Sequence, residues 1–156
     1  MKKKKIYFAA LILFLLDQIS KLIIHNYLKN PVVIIKNFFR LNLLQNTGAA
    51  FGLFEDARFF LIMITAAVLV LLAKMIKEEK DLSKLSFWIY SLILGGIIGN
   101  FFDRIVRGHV IDFLSFKLFN NEMPIFNFAD SFIVIGAILI VVDFIKELYE
   151  NNKQKK

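Results

Sequence analysis

The sequence predicts a membrane protein that is all-α apart from a small β element. The expected fold has four transmembrane helices, both termini cytoplasmic, and a small extracytoplasmic β-sheet forming a cradle. Three observations predict it. Apolar residues make up 58% of the 156 residues, with Phe alone present 18 times, above the roughly 45–50% apolar share of soluble domains. The apolar residues gather into four runs, 6–24, 59–76, 85–102 and 128–145, each close to the ~20 residues that a bilayer-spanning helix requires. The net charge of +7 is concentrated in lysine clusters beside those runs, at Lys2–Lys5, Lys74–Lys84 and Lys146–Lys156. That placement points to membrane lipids as a partner and away from nucleic acid.

The first run follows Lys2–Lys5 and invites comparison with a secretory signal peptide. It carries Asp17 and Lys21, which the apolar region of a signal peptide avoids, and no small-x-small cleavage site follows. A retained helix is therefore expected. The segment after it, an outer loop over 25–58, includes VVIIKNFFRLNLLQN at 32–46. Its β-branched and aromatic residues, closed by Asn and Gly, predict one or two short strands lying on the membrane. The second run has no charge from Phe59 to Ala73, and the third has none at all. Between them KEEKDLSK reads as a solvated turn. A second outer loop, 103–127, contains Val110 to Leu114, expected to be extended, and Pro124 before the return. The fourth run closes the chain, and the tail ENNKQKK reads as a solvated end. No linker, repeat or second domain is evident, so residues 1–156 are expected to form a single domain.

Orientation follows from the excess of Lys and Arg on the cytoplasmic side of membrane proteins. With the N-terminus inside, the inner segments hold twelve lysines on short stretches, while the outer cations Lys29, Lys36, Arg40, Arg58, Arg107 and Lys117 are spread over longer loops. In that orientation Asp17, Lys21, Asn46, Gly48, Asn100, Asp103, Arg104, Asp112, Asn127 and Asp130 all converge on the outer membrane boundary. Such groups beside apolar helices are costly unless they pair or do chemical work.

Each constellation has a structural and a functional reading. Asp17 and Lys21 stand at i, i+4 with the acid first, the better order for a helical ion pair; they either neutralise each other or touch a substrate or the outer loop. Gly95, Gly96 and Gly99 suit close helix approach. Asn100, Asp103 and Arg104 share one face, with Asp103 and Arg104 expected to form a network that anchors the helix end. Asn127 and Asp130 have the spacing of an N-cap and its N3 partner. Two carboxylates, Asp112 and Asp130, at one partly dry boundary offer the chemistry of an aspartic peptidase. One keeps a proton because two close charges cannot both ionise, and the pair activates a water. No cysteine is present, which excludes disulfides and thiol nucleophiles, and the only histidines, His25 and His109, make a multi-histidine metal site unexpected.

Five separated motifs together resemble the prolipoprotein signal peptidases, or type II signal peptidases. They are Asp17-Gln18-Ile19-Ser20-Lys21, Asn46-Thr47-Gly48-Ala49-Ala50-Phe51, Gly95 to Asn100 with Asp103-Arg104, Gly108 to Phe113, and Phe126 to Ser131. Ser20, where Thr is the usual family residue, is a mild departure. The resemblance implies that Asp112 and Asp130 are catalytic and that Asp17, Lys21, Asn46, Gly48, Asn100, Asp103, Arg104 and Asn127 bind substrate or support the site. It implies a plasma-membrane enzyme with its site at the outer face and no metal or cofactor. The substrates would be lipid-modified prolipoprotein signal peptides, cut just before the diacylglyceryl-cysteine. Globomycin-type cyclic peptides would inhibit it, and a monomer is expected. Two other classes compete: a proton-coupled transporter, which would place its polar residues at mid-membrane on broken helices, and a non-catalytic scaffold whose acids only pair with Lys and Arg.

Overall fold

The computed structural model of the chain describes residues 3–49, 53–119 and 121–154. Lys2, Ala50, Phe51, Lys155 and Lys156, used in the sequence reading, lie outside them. The described residues form, in order, α1 (Lys4–Tyr27), β1 (Val32–Ile35), β2 (Phe39–Asn46), α2 (Arg58–Glu78), α3 (Lys84–Val106), β3 (Val110–Leu118), β4 (Asn121–Glu122) and α4 (Phe128–Gln154). All four helices are long and apolar enough to cross a membrane. The expected helix number and the strands of both outer loops are therefore present.

The helices run beyond the apolar runs that announced them. α3 continues four residues past 102, so Asp103 and Arg104 lie in its last turns and not in an outer loop. Charge does not end the helix because Asp103 is fully buried against cations. α4 likewise runs to Gln154, so the tail is helical where a solvated end was expected. Its polar extension is exposed and carries a Lys146–Glu150 pair at i, i+4, of the kind that supports isolated helices.

α3 is the central helix and packs on α1, α2 and α4. Its small residues allow this. A Cβ at Gly96 would lie 2.4 Å from the Ala129 carbonyl oxygen of α4, and one at Gly99 would lie 2.6 Å from Asp17 Oδ2 of α1. Only a hydrogen fits at either position, against backbone at Gly96 and against the Asp17 carboxyl at Gly99. Ile6, Ala10, Leu72, Ile76 and Leu94 form an apolar cluster at the end of the bundle where α1 begins.

The other end is polar inside and apolar outside. On α1 the buried residues are Ile6, Ala10, Asp17 and Lys21, while Phe8, Leu11, Leu16, Ile19, Leu22 and Ile23 are exposed. That pattern suits hydrocarbon as the solvent, since lipid accepts Leu and Ile freely and polar groups must find partners within the protein. The sheet covers this end. It is antiparallel in the order β1-β2-β3-β4, and Ile111, Phe113 and Leu114 pack with Ile24, Leu41, Leu43 and Phe126 beneath it. Phe39, Phe116 and Phe126 stack in sequence, with centroids 4.6 and 5.6 Å apart.

Candidate active site

Two backbone devices bring Asp112 and Asp130 to one place. α3 ends when Gly108 takes φ +84° and donates its N–H to the Asp103 carbonyl at 3.2 Å. This left-handed residue is favourable for glycine and stops the helix. The chain then enters β3, with Asp112 in register with Leu44 of β2. Further on, the N–H groups of Phe113 and Leu114 both donate to the Phe126 carbonyl, at 2.9 and 2.7 Å. The residue after Asp112 is thus tied to the residue before Asn127.

Asn127 caps α4. Its Oδ1 accepts from the Asp130 N–H at 2.9 Å, and its own N–H donates to Asp130 Oδ2 at 3.1 Å. This is the reciprocal capping box expected from the spacing. The same side chain donates through Nδ2 to Asp112 Oδ1 at 2.6 Å and to Asn100 Oδ1 at 3.1 Å. Asn100 in turn donates to Asp130 Oδ1 at 2.7 Å. The two aspartates are therefore joined through two amides. On the sheet side, Asn46 Nδ2 donates to Asp112 Oδ2 at 2.9 Å while its Oδ1 accepts from the Gly48 N–H at 2.9 Å, an Asx turn that fixes the amide's orientation.

Asp112 is 2% exposed. Burial, with the Asp130 charge adding to it, pushes its carboxyl up to about 7 against the opposing pull of the Asn46 and Asn127 hydrogen bonds and the Lys21 charge. Desolvation disfavours the ionised form, so this carboxyl holds its proton well above the ordinary range.

Below the pair lies a buried ionic cluster. Asp17, Lys21 and Asp103 have no exposed surface. Lys21 Nζ contacts Asp17 Oδ2 and Asp103 Oδ2, each at 2.8 Å, and donates to Asn100 Oδ1 at 3.0 Å. The Asp17–Lys21 pair is thus present, and it is sealed within the bundle away from solvent.

The expected Asp103–Arg104 network is absent. Asp103 pairs with Lys21 and with Arg107, and Arg104 donates to the Gly48 carbonyl at 2.8 Å and weakly to the Asn100 carbonyl at 3.4 Å. Consecutive helical residues point about 100° apart, so they do not face each other. Arg104 therefore holds the outer loop, and its buried Nε has no partner among the described residues.

Three contributors escaped the sequence reading. Gln18 Nε2 bridges Asp17 Oδ2 at 3.1 Å and Asp103 Oδ1 at 3.0 Å. Arg107, read only as an outer cation, donates to Gln18 Oε1 at 2.8 Å and to Asp103; its i+4 spacing from Asp103 was the available signal. Arg58, the first residue of α2, donates to the carbonyls of Arg104 and Ile105, both at 2.8 Å, and so caps α3. Among the described residues no group of three or more His, Asp or Glu is arranged to hold a metal ion.

Comparison with known proteins identifies the family. Residues 9–146 match the family described as signal peptidase (SPase) II. The chain belongs to the signal peptidase II family. It is accordingly a peptidase, and its four apolar helices make it a multi-pass membrane protein. It is 43% identical over 140 residues to a lipoprotein signal peptidase of Aeromonas hydrophila, covering 86% of this chain and 84% of that protein. It is 44% identical over 138 residues to a lipoprotein signal peptidase of Caldanaerobacter subterraneus subsp. tengcongensis, covering 86% and 91%. Its fold is similar to a bacterial membrane enzyme solved by the in meso method at 2.3 Å, with TM-score 0.86 and 31% identity over 93% of this chain and 90% of that one. A second such structure, at 1.9 Å, gives TM-score 0.82 and 31% identity over 92% and 94%.

Proposed function

We propose that this signal peptidase II removes signal peptides from diacylglyceryl-modified lipoprotein precursors, cutting before the lipid-modified cysteine, with Asp112 and Asp130 as its catalytic pair. The observation that carries the reading is the joining of these two carboxylates by Asn127 and Asn100, one of them buried enough to keep its proton near neutrality. The enzyme lies in the plasma membrane with both termini inside, so that the site opens at the outer face. The lysine distribution supports this orientation.

The roles follow from the surroundings of each carboxyl. Asp130 stands in the first turn of α4, where free N–H groups and the helix dipole favour negative charge. Asp112 lies in a strand without that help. Asp130 takes a proton from water as the water oxygen bonds to the scissile carbonyl carbon. Asp112 gives its proton to the carbonyl oxygen, leaving a neutral tetrahedral diol. On collapse Asp130 gives its proton to the departing nitrogen as the C–N bond breaks, and Asp112 takes back the proton of one diol hydroxyl as the carbonyl re-forms, so both carboxyls return to their starting states. Asn46, Gly48 and Arg104 bound the side from which an extended peptide would enter, and the lipid chains lie against the exposed apolar helices.

The test is cleavage of lipidated precursor by the purified protein in detergent, with Asp112→Asn and Asp130→Asn as controls. We expect cleavage before the modified cysteine, and loss of on the order of 10²–10⁴-fold in either variant, the usual share of acid–base catalysis. Both variants should remain folded, because Asn keeps the carboxyl's shape, with Asp112→Asn differing from the wild type in how its unfolding temperature depends on pH. Substantial turnover by either folded variant would remove the pair from the mechanism.

A further inference from the structure

Lys21 is the largest fully buried side chain described, and the aspartic chemistry does not use it. Its ammonium has three protons and three acceptors: Asp17 Oδ2, Asp103 Oδ2 and Asn100 Oδ1, at 2.8, 2.8 and 3.0 Å. Each acceptor leads in one further step to the catalytic pair. Asp17 Oδ1 accepts the backbone N–H of Ala129 at 2.9 Å, and Ala129 immediately precedes Asp130. Asp103 Oδ2 accepts the backbone N–H of Ile111 at 3.4 Å, and Ile111 immediately precedes Asp112. Asn100 donates directly to Asp130. α1 thereby grips the start of α4, and α3 grips the start of β3, through one nitrogen atom.

We infer that Lys21 is a positioning residue for the reaction: a three-way clamp whose ammonium geometry sets the placement of Asp112 relative to Asp130. This rests on the proposal that those two residues are the catalytic pair. The alternative use of Lys21 is to neutralise Asp17 and Asp103, a task it shares with Arg107. The two uses make different demands. Neutralisation needs a positive charge at this place. The clamp needs three divergent N–H bonds on one atom. An arginine supplies the first but not the second, because its guanidinium is planar and spreads its donors over three nitrogens.

Lys21→Arg therefore separates them. The measurements are kcat and KM on diacylglyceryl-modified precursor, the pH dependence of kcat, and thermal unfolding in detergent. The charged groups facing Lys21 directly are Asp17 and Asp103, with Arg107 behind Asp103 and the catalytic carboxyls one step beyond. A clamp predicts folded protein, unchanged KM, and kcat lower on the order of 10²-fold, the scale of an ångström misplacement of reacting groups. The pH at which kcat falls should stay where it is, because the charge is retained. Wild-type kcat in folded Lys21→Arg overturns the inference. If that variant does not fold, the double variant Lys21→Met/Asp17→Asn, which removes one charge of each sign, must show the same loss of kcat at unchanged KM. Wild-type kcat there, or failure of both proteins to fold, also overturns it, since the residue would then serve folding alone. Failure of the underlying reading looks different: wild-type protein inert on lipidated precursor, or active Asp112→Asn or Asp130→Asn enzyme, removes the catalytic pair and the clamp with it.

Discussion

Asn127 donates its side-chain amide to Asp112 at 2.6 Å, across the gap between α4 and β3. The same residue closes a capping box with Asp130. One amide therefore both caps the helix and holds the Asp112 carboxyl, and neither contact can be changed alone.

The first prediction concerns this amide. Asn127→Ala should cost about 0.5–2 kcal/mol of stability, the usual value of an N-cap. Its effect on cleavage should be larger, roughly 10²-fold in kcat, because the Asp112 carboxyl loses a fixed donor and the Asp130 backbone N–H loses its cap. Thermal unfolding and turnover of lipidated precursor measure the two effects separately. A cleavage loss no greater than the stability loss explains would reduce Asn127 to a cap.

The second concerns pH. Asp112 is raised from 3.8 to about 7 by burial, with Asp130 adding to the shift, so the folded state holds this proton more tightly than the unfolded state does. Below about pH 4 the carboxyl is protonated in both states and burial costs nothing through ionisation. Between about pH 4 and 7 the unfolded chain releases the proton first, and stability falls as pH rises. Above about 7 the loss is complete. Asp112→Asn should therefore flatten unfolding temperature against pH across that window. Cleavage by the wild type should decline as pH rises through about 7, because Asp112 must be protonated to act as the acid. Activity that rises through this range would reverse the assigned roles.

Arg104 gives the third. Its guanidinium holds the Gly48 carbonyl at 2.8 Å and pairs with no carboxylate among the described residues. Arg104→Ala should leave the buried Lys21, Asp17 and Asp103 cluster intact and free the loop that carries Gly48. The expected outcome is folded protein with raised KM for lipidated precursor. Unfolding of the purified variant would instead assign Arg104 to the scaffold.

The fourth tests helix packing. A Cβ at Gly96 would meet the Ala129 carbonyl oxygen at 2.4 Å, and backbone cannot yield as a flexible side chain can. Gly96→Ala should cost about 1–3 kcal/mol by overpacking. It should also lower kcat, since Ala129 precedes Asp130. Unfolding in detergent and turnover report the two losses, and an unaffected enzyme would mean that α3 and α4 can separate freely.

The fifth is orientation. Reporter fusions after Lys36 and Lys117 should read outside, and fusions after Lys80 inside, if the lysine bias governs insertion. A cytoplasmic reading at the first two positions would place the site at the inner face.

The sequence by itself determined the four helices, the strands of the outer loops and the cluster of residues around the pair. Hydrocarbon is an unforgiving solvent, and long apolar runs with polar residues confined to one end have few other solutions. The Asn127–Asp130 cap was legible too, because a capping box is local and joins residues three apart. The Asp17–Lys21 pair, at i, i+4, was legible for the same local reason, but the partners that buried charges find on other elements depend on tertiary packing. Asp103 and Arg104 are neighbours in sequence, yet they diverge around the helix. Asp103 instead finds Lys21 on α1, and Arg104 finds Gly48. No local pattern encodes that choice. It depends on how closely Gly96 and Gly99 let α1 and α4 approach α3, and on which carboxylate then faces the Lys21 ammonium sealed between them.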